Sequence, residues 1–74
     1  MNANEILKKN GFVFAGVNKW TKYNYVVNLS LTLGVYLTKY SPKVKRFLSV
    51  TYYATIDEFF DKNQHLAEWN YESI

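Results

Sequence analysis

From Tyr23 to Leu37 every odd-numbered position is apolar: Tyr23, Tyr25, Val27, Leu29, Leu31, Leu33, Val35 and Leu37. The positions between them are mostly polar, with Asn24, Asn28, Ser30 and Thr32 among them. A period of two marks a strand with one face buried and the other wet. Drawn as one straight strand, these fifteen residues would span roughly 50 Å at about 3.3 Å each. That is longer than a small domain uses. Either the strand bends or bulges near Ser30–Gly34, or the chain turns there and makes two strands of a hairpin. Gly34 favours a break or a bulge nearby.

Shorter patterns flank this run. Asn2 with Glu5 three residues on resembles a capping box. Ile6 and Leu7 supply an apolar edge, Lys8 and Lys9 suit the negative end, and Gly11 suits a left-handed stop, so a helix is expected over about 3–10. Two turns do not hold alone and must dock on something. Phe12 to Val17 reads as a strand (about 12–18), closed by a turn at Asn18-Lys19, and the alternating run extends it as a strand over about 21–38. Tyr40-Ser41-Pro42-Lys43 is a turn. A strand over about 44–54 follows, with Val44, Leu48, Val50 and Tyr52 on one side and Lys45, Phe47, Ser49, Thr51 and Tyr53 on the other. Thr55-Ile56-Asp57-Glu58 is a capping box. Ile56, Phe59, Phe60, Asn63, Leu66 and Ala67 keep helical spacing, which predicts a helix over about 56–68.

The expected architecture is a single α+β domain: a helix, an antiparallel meander of three or four strands, and a second helix. Both helices should lie on one sheet face, because the odd positions from 23 to 37 need a lid. The other face would stay open, showing Asn24, Asn28, Ser30, Thr32, Tyr36, Thr38, Lys45, Phe47, Thr51 and Tyr53.

Composition narrows the chemistry. The 74 residues include no cysteine, which removes disulfides, thiolate zinc sites and a cysteine nucleophile. Such a short chain buries little surface, so its seven Tyr, five Phe and two Trp are its main means of building a core, with oligomerisation as the other route. His65 is the sole histidine and reads as a solvated or capping side chain. Asp57, Glu58 and Asp61 crowd one helical turn, where they complement the macrodipole. With no glycine-rich phosphate loop either, neither an enzyme nor a cofactor is expected.

Charge is uneven. Residues 1–54 carry a net +7 and residues 55–74 a net −4. Lys39, Lys43, Lys45 and Arg46 gather around the Pro42 turn, and Lys19 and Lys22 flank Trp20. Lysines bind phosphate without sequence preference, and exposed aromatics stack on bases. The plainer reading is that turn lysines solvate loops and keep strand edges from aggregating. Protein docking draws on the aromatics instead: Trp20, Tyr36, Tyr40, Phe47 and Tyr53 form a candidate anchor cluster. An unpaired sheet edge offers pairing with a partner strand or with a second copy.

The helix–three strands–helix order resembles double-stranded-RNA-binding domains and the HicA-type toxins that share their topology. Leu7-Lys8-Lys9-Asn10-Gly11-Phe12 is similar to the way a HicA-type chain enters its first strand. Those toxins are ribonucleases that use a histidine in a Gly-Ser-His stretch of the second strand. Here that region reads Trp20-Thr21-Lys22-Tyr23, so cleavage does not carry over.

Eight lysines against one arginine, with eight asparagines, point to an AT-rich genome. Residues 1–10 lack a signal-peptide pattern, and the uncharged run Tyr23–Thr38 is too short and too polar for a membrane span, so a cytoplasmic protein is expected. The functional expectation is a small non-catalytic binding protein of a phage or mobile element. It would inhibit or regulate a host or phage protein, a nucleic-acid-handling one among the candidates, by surface docking. Direct nucleic-acid binding is the alternative. The residues expected to carry either role are Trp20, Lys22, Tyr36, Tyr40, Lys43, Lys45, Arg46, Phe47 and Tyr53.

Overall fold

A computed structural model describes residues 2–30 and 34–68. Helix α1, Ala3–Lys9, begins where Asn2 accepts a hydrogen bond from the Glu5 amide at 2.9 Å. It stops as a Schellman turn: Gly11, at φ +88°, donates to the Lys8 carbonyl, and Phe12 donates to that of Leu7. Helix α2, Ile56–Lys62, begins at Thr55, whose hydroxyl accepts from the Glu58 amide, while the Glu58 carboxylate accepts from the Ala54 amide. The expected helix to residue 68 is cut short at Asn63. That side chain donates to the Phe59 carbonyl at 2.8 Å, four residues back, and competes with continued helix. A 3-10 turn, Gln64–Leu66, then drops Leu66 into the interior.

Five strands lie between the helices rather than three or four: β1 Val13–Gly16, β2 Lys19–Lys22, β3 Tyr25–Ser30, β4 Gly34–Ser41 and β5 Arg46–Tyr53. They pair antiparallel in chain order, as a meander with β1 and β5 at the edges. The three-strand order behind the resemblance to RNA-binding domains and toxins is therefore absent. The long alternating run contains two reversals. Lys22 pairs with Tyr25, and Tyr23 takes φ +55° to make that turn. A tyrosine is an unusual residue for the left-handed region, which is why the pattern conceals the break. Ser30 pairs with Gly34, so the second reversal is a hairpin and not a bend. Leu31, Thr32 and Leu33 lie outside the described residues, as does Trp69.

Both helices pack on one face of the sheet. Ile6 and Leu7 from α1, Phe59 and Phe60 from α2, and Phe12 and Leu66 join Trp20, Val27, Val35 and Leu37 in one core cluster. The register explains the choice of face: Trp20 lies opposite Val27, Val27 opposite Leu37, and Leu37 opposite Thr51, so these residues form one row. Gly34 is held by geometry as well as by φ (+100°). A Cβ there would sit 2.5 Å from the Tyr53 carbonyl oxygen and 2.9 Å from that of Ala54. Both obstacles are backbone and cannot swing aside, so Gly34→Ala is expected to cost about 2–3 kcal/mol. A urea midpoint lowered with an unchanged m-value would show it, and an unaltered midpoint would contradict it.

Candidate interaction surface

The face that the helices leave uncovered follows from the same register. Thr21, Val26, Thr38 and Val50 form one row across it, and Asn28, Tyr36 and Tyr52 form the next. Tyr36 and Tyr52 have ring centroids 5.4 Å apart, and Tyr40 and Phe47 form a second pair at 5.3 Å. Val50, Phe47, Leu48 and Tyr52 are 65%, 55%, 53% and 51% exposed. All four belong to β5, an edge strand.

A bulge decides which β5 residues reach this face. Thr38 is opposite Val50, but two residues further along β4 Tyr40 is opposite Phe47, three residues back along β5. The extra β5 residue reverses the alternation partway along the strand. Phe47 therefore shares the open face with Val50 and Tyr52. Thr51 and Tyr53, expected beside Phe47, lie on the helix-covered side. Tyr53 packs against the core there, its ring 5.5 Å from that of Phe59. Alternation alone could not reveal this, because nothing in Leu48-Ser49 signals a bulge. Val50 and Tyr52 are accordingly the surface residues that sequence reasoning missed.

Two other candidates are interior. Trp20 is buried and its indole Nε1–H donates to the Asn4 side-chain oxygen at 2.7 Å, which ties β2 to α1. Lys22 is also buried, and its ammonium donates to the carbonyls of Asn10 (2.5 Å) and Leu66 (2.7 Å) and lies 3.4 Å from the Glu68 carboxylate. It gathers the ends of α1 and of the 3-10 turn, where carbonyls lack helical partners. Burial withdraws both side chains from any surface role. Of the remaining candidates, Tyr36 and Tyr40 are half-buried on the open face, while Lys43, Lys45 and Arg46 are exposed around the β4–β5 turn, with Lys45 at φ +56°. Thus Tyr36, Tyr40 and Phe47 meet on one surface, the three cations sit at its end, and Trp20, Lys22 and Tyr53 stand apart.

The described acids lie off the open face: Glu5 on α1, Asp57, Glu58 and Asp61 on α2, and Glu68 beyond the 3-10 turn. Lys19, opposite Asn28, gives the open face a cation. His65 is exposed, with its ring 6.0 Å from that of Tyr25. Among the described residues no cluster of His, Asp or Glu is placed to hold a metal, and no helix is long and apolar enough to cross a membrane. No family model, curated protein or solved structure matches this chain.

Proposed function

We propose that this protein is a non-catalytic binding protein that docks onto another protein through the open sheet face and the β5 edge. The observation that carries the reading is the run of apolar side chains on β5: Phe47, Leu48, Val50 and Tyr52 are each more than half exposed on a strand with one free edge. Phe47, Val50 and Tyr52 share the open face with Tyr36 and Tyr40, and an exposed apolar face rich in aromatics has the composition of an interface centre. The lysine- and asparagine-rich composition supports an origin in an AT-rich genome, such as that of a phage or mobile element. There a chain of this size would act as an inhibitor or regulator by covering part of its target.

Direct nucleic-acid binding is the second reading, favoured by Lys43, Lys45 and Arg46, which lie in the chain between Tyr40 and Phe47. The aromatic geometry argues against it. The rings of each pair are inclined to one another, at 53° and 63°, and pack together instead of offering parallel platforms for bases. Val26 and Val50 also occupy the row between the pairs, where a phosphate-tracking groove would carry cations.

Fluorescence anisotropy of labelled single-stranded DNA, duplex DNA and duplex RNA, at low and physiological salt, separates the two. Protein docking predicts no micromolar binding to any of them. Capture from a low-GC bacterial lysate should then be abolished by Phe47→Ser with Tyr52→Ser and survive Lys43→Ala with Arg46→Ala. Micromolar nucleic-acid binding that falls steeply with salt, and that weakens for all sequences alike in the cation variants, would reverse the assignment.

A further inference from the structure

We infer that β5 pairs antiparallel with β5 of a second copy, about a two-fold axis normal to the sheet. This rests on the reading of β5 as a docking strand and assigns its free edge to a second copy, leaving the open face to the target. The two edges of the sheet differ. Both edges carry a register shift, at Phe14/Gly16 on β1 and opposite Thr38/Tyr40 on β5, but β1 is only four residues long, which blunts it. β5 has eight residues and carries no proline and no charge from Phe47 to Tyr53. A long edge without those guards is open to pairing.

Charge selects the second copy. Lys43, Lys45 and Arg46 lie at the start of β5, and Asp57 and Glu58 follow its end in the first turn of α2. Antiparallel pairing of two identical strands sets the basic end of each beside the acidic end of the other, whereas parallel pairing sets like charges together. Such self-complementarity is what an isologous interface requires.

The bulge makes the two ends of the alignment fit. Aligned end to end, Arg46 lies opposite Tyr53 of the second copy, and Phe47 opposite Tyr52. Cross-strand neighbours must share a face, yet in a regular strand residues an odd number apart point to opposite faces. The extra residue at the bulge removes the conflict at both ends of the pairing: Phe47 and Tyr52 both lie on the open face, and Arg46, opposite Ser41, shares the helix-covered side with Tyr53, while Ser49 and Val50 meet at the two-fold within the bulge. Arg46 therefore approaches Asp57 of the second copy on the side where α2 lies. The product is one continuous ten-stranded sheet whose open faces join.

Sedimentation equilibrium of the intact chain from micromolar to millimolar concentration tests this. The expected mass rises from monomer to dimer, and Val50→Lys raises the dissociation constant by roughly tenfold or more. Arg46→Asp and Asp57→Arg should each weaken the dimer, and the two together should restore it, a recovery that misfolding does not produce. Monomer at every concentration overturns the proposal, as does a dimer indifferent to all these changes. A monomer that still captures a partner through Phe47 and Tyr52 overturns the dimer alone and leaves the docking function standing.

Discussion

Replacing Phe59 with alanine is expected to lower the free energy of unfolding by about 3–5 kcal/mol, the range for a large aromatic removed from a packed core. Phe59 has no exposed surface. Its ring meets those of Phe60, Tyr53 and Phe12 at centroid distances of 4.8, 5.5 and 6.2 Å, all edge-to-face. One side chain thus joins α2, the end of β5 and the segment that leaves α1. A domain of this size has a total stability of only about 4–11 kcal/mol, so the variant should be close to unfolded at room temperature. Urea denaturation followed by circular dichroism measures it. Val50→Ala, on the exposed strand, should shift the midpoint by no more than about 0.5 kcal/mol. Equal losses from the two substitutions would mean that β5 is core and that the docking surface has been misassigned.

Lys22→Met is the second large effect, at about 2–5 kcal/mol. Methionine keeps the apolar stem but leaves the Asn10 and Leu66 carbonyls without their donor, and each unpaired buried carbonyl costs about 1–3 kcal/mol. Replacing a buried charge with a hydrophobe is often harmless when its partners are replaced too; here the partners are backbone and remain. The Glu68 carboxylate contributes little, because its side chain is half exposed. Glu68→Gln should therefore cost less than about 1 kcal/mol, and that contrast tests whether the carbonyls or the ion pair matter. Hydrogen exchange gives a local readout. The Glu68 amide donates to the Asn10 side-chain oxygen at 2.9 Å, and its protection should fall in Lys22→Met before the strands respond. A wild-type midpoint for Lys22→Met would show that the ammonium does not hold these segments together.

Local signals were the most legible part of the fold. Asn2 and Thr55 cap the helices, and Gly11 stops α1, because capping depends on residues within a few positions of one another. The core members Val27, Val35 and Leu37 stood out through their alternation. The number of strands did not, since Tyr23 and Asn24 carry the β2–β3 turn without glycine. Nor did the C-terminal end of α2, where Asn63 fits the helical spacing and yet turns its amide back on the Phe59 carbonyl. The sequence presents Lys22 as a surface cation because lysine usually is one. Its burial follows from two helix ends meeting over β2, and no stretch of the chain records that.

By itself, then, the sequence determined the α+β class, the two capped helices and the alternation of the central strands. Each of these depends on residue type or on spacing within about one turn or one strand. Tertiary structure decided which aromatics face outward, which lysine is buried and which strands form the edges. Those outcomes depend on register: a single extra residue in β5 moves Phe47 to the face of Val50 and Tyr52 and sends Tyr53 into the core. A side chain's face is set by the strand it pairs with, and that information lies in the partner strand as much as in the residue.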